Sequence, residues 1–234
     1  MSRRLLLVVA TVLLTAGLAA PMSAGQAHAA RCADVHLLFA RGTEEAGGKI
    51  GNTGQAMYRS LVARFPNKDV RVSPIRYRAS GDFAAGTQFL RTVSAGVRNA
   101  QNQLQRLATS CRKTKIVLGG FSQGGVIVTY AASDQILGPQ LIVGEMPSML
   151  SADVSRRVAG VVTFGAPGDR WFREVGVPPM RTGAAYRHKT RKYCIRGDNI
   201  CDGGPVNRPN TVHGNYSRNG MTGAAADFVA RYVR

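Results

Sequence analysis

Apolar positions along the 234-residue chain fall into short buried runs separated by stretches of helical period. Asp34 to Ala40 is apolar enough for one strand, and Val70 to Tyr77 reads as a second. Gly54 to Phe65 and Ala84 to Leu107 place apolar residues three and four apart between turn signals, which predicts two helices. Lys115 to Gly119 is a further strand, followed by an apolar helix over Val126 to Ala132. Gly160 to Gly165 is another buried strand, ended by Ala166-Pro167-Gly168. Thr190 to Arg196 is the last strand, and Thr222 to Val233 a terminal amphipathic helix. Apolar strands alternating with helices imply a parallel sheet covered on both faces. The expectation is a single compact α/β domain over 30–234, with no repeat, no long linker and no room for a separate lid domain.

The N-terminus breaks this pattern. Arg3 and Arg4 precede an uncharged apolar run from Leu5 to Ala20, and Pro21 and Gly25 interrupt it ahead of Ala27-His28-Ala29. That is the layout of a signal peptide over 1–29 with a small-x-small cleavage site. Ser2-Arg3-Arg4 has the look of a twin-arginine signal, but the very hydrophobic run behind it favours ordinary secretion. Arg31 before Cys32 argues against a lipoprotein site, which needs a small residue there. The expected location is extracellular.

The whole chain carries a net charge of +18, and loss of Arg3 and Arg4 leaves about +16. The basic residues are scattered, apart from Arg187-His188-Lys189-Thr190-Arg191-Lys192, and aromatics are sparse. A nucleic-acid reader shows a basic stripe with interleaved aromatics instead, so nucleic acid is not an expected partner. Attraction to anionic cell-wall or lipid surfaces suits the charge, as does plain solubility. The chain is expected to act as a monomer.

Cys32, Cys111, Cys194 and Cys201 all lie in the exported part, and an even count there reads as two disulfides. Cys194 and Cys201 stand close enough to close a small loop, which leaves Cys32 with Cys111. No C-x-x-C or paired-histidine spacing accompanies them, so no metal is expected, and no cofactor.

The chemistry centres on Gly120-Phe121-Ser122-Gln123-Gly124, set between a strand and a helix. Strand, G-x-S-x-G and helix make a nucleophile elbow, in which a tight turn lifts a strained serine above the sheet edge. A serine hydroxyl needs a base, and the base needs an orienting acid, in the chain order Ser, Asp or Glu, His. Of four histidines, His28 leaves with the leader, His36 precedes Ser122, and His188 sits in the basic run. His213, in a Pro- and Asn-rich loop before the terminal helix, is the base candidate. Asp198, inside the octapeptide from Cys194 to Cys201, is the acid candidate; Asp202 is its near rival, and Asp169 and Glu174 are further ones. Oxyanion donors are expected from the backbone of Gln123 and from Thr43 in the loop Ala40-Arg41-Gly42-Thr43-Glu44-Glu45.

Cys32-Ala33-Asp34-Val35, Ala40-Arg41-Gly42-Thr43-Glu44, Gly119 to Gly124, and the Asp198 loop followed by His213 together resemble the cutinase family of serine esterases. The resemblance implies a lidless α/β-hydrolase acting on carboxylic esters, with disulfides Cys32–Cys111 and Cys194–Cys201. It implies Ser122, Asp198 and His213 as the triad, and Thr43 and Gln123 at the oxyanion site. Thr43 stands where fungal members often carry serine. Two stretches depart from the fungal pattern. Asp134 to Arg157 is longer, and Pro205 to Val212 is polar where fungal cutinases place an apolar loop. The implied substrates are therefore short- to medium-chain esters, lipids or polyesters. Acetylxylan esterase or phospholipase activity on the same fold is one alternative; a catalytically silent wall- or lipid-binding protein is another.

Overall fold

β1 (Val35–Ala40) buries five of its six side chains, so it has apolar partners on both faces and lies inside a sheet. A computed structural model describes residues 32–81, 87–134, 150–174, 176, 179, 181–205 and 208–233. Among them the strands are β1, β2 (Val70–Pro74), β3 (Lys115–Phe121), β4 (Val158–Phe164) and β5 (Thr190–Tyr193). They form one sheet in the order β2-β1-β3-β4-β5, and every neighbouring pair is parallel. Parallel pairs need crossovers, and helices lie on them: α1 (Gly51–Arg64), α2 (Thr87–Ser110), α3 (Gln123–Ala131), α4 (Ala152–Arg157) and α5 (Asp169–Glu174); α6 (Met221–Ala230) follows the last strand.

Alternation along the strands divides the core between the two faces. Leu38, Ile116, Leu118 and Val161 pack with Val97, Leu104 and Ile127 of α2 and α3. Leu37, Phe39, Val117 and Val162 pack with Met57, Leu61, Phe228 and Val229 of α1 and α6. The expected parallel α/β sheet, covered on both faces, is what forms.

The elements differ from the sequence reading at their ends. β2 stops at Pro74, short of Tyr77, because proline has no N–H to continue the ladder and β2 is an edge strand. β5 ends at Tyr193 rather than Arg196, since Cys194 turns into the disulfide loop. α3 begins at Gln123, three residues before the expected Val126. The short helices α4 and α5 carry too few turns to show a period and were not expected. Residues 1–31, which include the expected signal peptide 1–29, the start of the expected second helix at Ala84 and most of the long 134–157 segment lie outside the described residues.

Both expected disulfides are present. Cys32–Cys111 ties the approach to β1 to the end of α2 across 79 residues, and Cys194–Cys201 spans seven. No helix among the described residues is long and apolar enough to cross a membrane.

One topological feature positions the site. The chain runs from β1 outward to β2, then returns past β1 to β3. Connections therefore diverge at the carboxyl ends of β1 and β3, and a crevice opens there.

Candidate active site

Ser122 follows β3 at that crevice with φ 51° and ψ −119°. A left-handed conformation at a non-glycine residue costs about 1–3 kcal/mol and persists only where its surroundings impose it. Here the Ser122 N–H donates to the Phe164 carbonyl (2.8 Å), and the Ser122 carbonyl accepts from the Gly125 N–H (2.9 Å). A Cβ at Gly124 would collide with the Ala40 carbonyl, so glycine is what lets α3 start against β1. Gln123 opens α3, and its N–H has no intrahelical acceptor.

The loop after β1 faces this turn. The Thr43 hydroxyl donates to Gln123 Oε1 (3.1 Å), joining the two expected oxyanion residues across 80 positions. Glu45 braces the loop: its carboxylate accepts the Gly42 N–H and the Thr53 N–H, each at 2.8 Å. The Tyr77 hydroxyl donates to the Arg41 carbonyl. The Gly42 N–H is thus committed to Glu45, which leaves the Thr43 and Gln123 backbone N–H groups as the oxyanion candidates.

Asp198 and His213 meet beside the end of β4. The His213 Nδ1 lies 3.0 and 2.9 Å from the two Asp198 carboxylate oxygens, with Asp198 wholly buried. An ionised carboxylate only accepts, so Nδ1 carries the proton and Nε2 the lone pair. His213 Nε2 is buried and has no hydrogen-bond partner. No side-chain bond joins it to Ser122; such bonds commonly tighten only once substrate is bound. The Phe121 ring, next to Ser122, lies against the imidazole with centroids 4.8 Å apart. Gly165, at φ 54°, makes room: a Cβ there would come within 2.9 Å of His213 Cε1 and 3.1 Å of Asp198 Oδ2.

Asp198 also accepts the Ile200 N–H at Oδ1 (2.9 Å) and the Tyr216 hydroxyl at Oδ2 (2.5 Å). Burial pushes its carboxyl up, but the hydrogen bonds from His213, Tyr216 and Ile200 outweigh this and hold it below the ordinary carboxylate range. Burial and the neighbouring Asp198 raise the Tyr216 phenol well above an ordinary tyrosine. Asn210 fastens the two loops together: it takes the His213 N–H on Oδ1 (3.3 Å) and gives Nδ2–H to the Gly197 carbonyl (2.8 Å).

The rival acids stand elsewhere. Asp202 accepts the Gly197 N–H (2.7 Å) and so folds the loop around Asp198. Asp169 takes a two-pronged contact from Arg181 at 2.7 and 2.9 Å, and Glu174 pairs with Arg170. His188 is exposed against Tyr232, and His36 bonds Ser73 Oγ at the far side of the sheet. Tyr216, Glu45 and Asn210 were not singled out from the sequence. The one usable signal was a large aromatic three residues after His213 in an otherwise polar loop.

Residues 31–233 match the cutinase family, which is nearly the whole described chain. The chain belongs to the cutinase family of serine esterases. It is 38% identical over 169 residues to the probable carboxylesterase Culp7 of Mycobacterium tuberculosis, covering 72% of this chain and 88% of that one. It is 35% identical over 224 residues to the phospholipase Culp4 of the same organism, covering 96% and 87%. Among solved structures it resembles a Trichoderma reesei cutinase bound to a phosphonate inhibitor, at 31% identity and TM-score 0.62, covering 87% of this chain and 78% of that one.

Proposed function

We propose that this cutinase-family protein is an exported carboxylic ester hydrolase that works through an acyl-enzyme on Ser122. His213 Nε2 takes the hydroxyl proton as Ser122 Oγ attacks the ester carbonyl carbon. The oxyanion of the tetrahedral intermediate is received by the Thr43 and Gln123 backbone N–H groups. Collapse expels the alcohol, which carries off the proton from His213, and water repeats the sequence to release the acid. Asp198 stays ionised and holds the imidazole in the tautomer this needs. The observation that carries the reading is the buried Asp198–His213 pair with a free Nε2, set at the same sheet edge as the strained serine.

The favoured substrates are short- to medium-chain esters. Arg208, Pro209 and Asn210 are exposed on the loop leading to His213, so part of the rim is polar where a long acyl chain or cutin would need apolar footing. A fluorophosphonate probe should label Ser122. A series of p-nitrophenyl esters should turn over fastest at butyryl to octanoyl and slow toward palmitoyl, with a phospholipid and acetylated xylan as the competing substrates. An intact protein that takes no label would instead be a silent surface binder.

The basic surplus of the chain supports adhesion to anionic surfaces. Sedimentation should show tighter binding to anionic than to zwitterionic vesicles, lost between about 50 and 500 mM salt as screening shortens. Equal, salt-insensitive binding to both would assign the charge to solubility.

A further inference from the structure

We propose that Tyr216 is a positioning residue of the catalytic apparatus, whose donated hydrogen bond sets how much negative charge Asp198 presents to His213. The proposal rests on reading Ser122, Asp198 and His213 as the triad.

The geometry singles out this phenol. Its hydroxyl lies 2.5 Å from Asp198 Oδ2, within the range of charge-assisted O–H···O⁻ bonds, which are roughly twice as strong as neutral ones. The same oxygen accepts the Ile195 N–H at 3.1 Å, and a hydroxyl that accepts one bond becomes a better donor in the next. Cys201 Sγ stands 3.3 Å away, so the hydroxyl is enclosed by the strand end, the disulfide and the carboxylate. The ring is wholly buried, with centroids 5.6 Å from Phe121, 6.2 Å from Phe164 and 6.2 Å from His213.

His213 Nδ1 is nearly equidistant from both carboxylate oxygens, so it feels the charge of the whole group. Oδ2 divides that charge between imidazole and phenol. Remove the phenolic proton donor and the carboxylate turns its full charge on the imidazole, which favours the protonated form of His213. A residue that merely filled space would leave this balance alone.

Tyr216→Phe keeps the ring and removes the hydroxyl. With a soluble p-nitrophenyl ester, kcat should fall about tenfold at little change in KM. The acid limb of kcat/KM should move to higher pH, because the base is neutral only there. The downfield proton resonance of His213 Nδ1–H should move further downfield. A fall in kcat with limb and resonance unmoved overturns the proposal, as does wild-type behaviour. Should the variant fail to fold, tyrosine 13Cζ labelling of the wild-type protein decides. The Tyr216 phenol must stay un-ionised at a pH where ordinary tyrosines, near pKa 10, have titrated; ordinary titration overturns the proposal. Ser122→Ala and His213→Ala are run alongside: full ester turnover in either would sink the triad reading itself, whatever Tyr216 does.

Discussion

The two halves of the site are held by different physics. Ser122 is placed by backbone alone: a strained turn, a glycine with no room for a Cβ, and apolar flanks in β3 and α3. Asp198 and His213 are placed by side chains in two polar loops, through the Cys194–Cys201 link, Asn210, Asp202 and Tyr216. The proposed nucleophile therefore shares the stability of the sheet, whereas the proposed acid–base pair depends on a local web that can fail by itself.

That contrast breaks first at the chemistry. Ser122→Ala should lower turnover by at least about 10⁴-fold with wild-type melting temperature, and His213→Ala by at least about 10³-fold with a folded but less stable protein, since the imidazole is a partner of the buried Asp198 carboxylate. Steady-state kinetics with thermal melts checks both, and a large loss for His188→Ala instead would reassign the base.

The disulfides sharpen the contrast further. Replacing Cys194 and Cys201 by serine should cost activity about tenfold with a modest drop in Tm. Replacing Cys32 and Cys111 should leave kcat nearly unchanged and lower Tm by about 10 °C or more, as the longer loop is worth about 4–5 kcal/mol against about 2–3 for the short one. The reverse pattern would mean that the Asp198 loop keeps its shape without its link.

The smallest expected effect is in pH. Asp198 sits below its unfolded carboxyl value, so the folded state binds fewer protons than the unfolded one in the intervening window. Its stabilisation is complete above the ordinary value of 3.8 and is lost as pH falls through the lower, folded one. Plotted against pH from 6 down to 3, Tm should fall steeply for the wild type and for Ser122→Ala, and less steeply for Asp198→Asn. Equal slopes in all three would remove Asp198 from the acid lability.

The same division decides what was legible in the sequence. Gly120 to Gly124 shows its turn because backbone strain demands particular residues at adjacent positions, and the flanking apolar runs show the strand and helix. The pairings of Cys194 with Cys201 and of Cys32 with Cys111 followed from spacing. Asp198 and His213 were reachable through chain order and elimination, and the structure brings them within hydrogen-bond distance. Glu45, Asn210 and Tyr216 were not, because a side chain bonding to a distant N–H or carboxylate leaves no periodic trace. Exposure within the run Arg187 to Lys192 was not legible either: His188 lies at the surface, whereas Lys189 is buried, its Nζ donating to the Ser155 carbonyl at 2.7 Å.

Where the described chain begins and where α6 ends has a practical use. Cys32 precedes the amino end of β1, whereas Thr43 and Ser122 stand past the carboxyl ends of β1 and β3. At the other end the Tyr232 hydroxyl donates to the His188 carbonyl (2.6 Å), just before β5 starts. Both handles thus leave from the sheet edge opposite the crevice, a strand length of about 20 Å away. Immobilising the protein on a bead or a cell surface through either one should leave the mouth pointing outward, open to a polymer too large to diffuse.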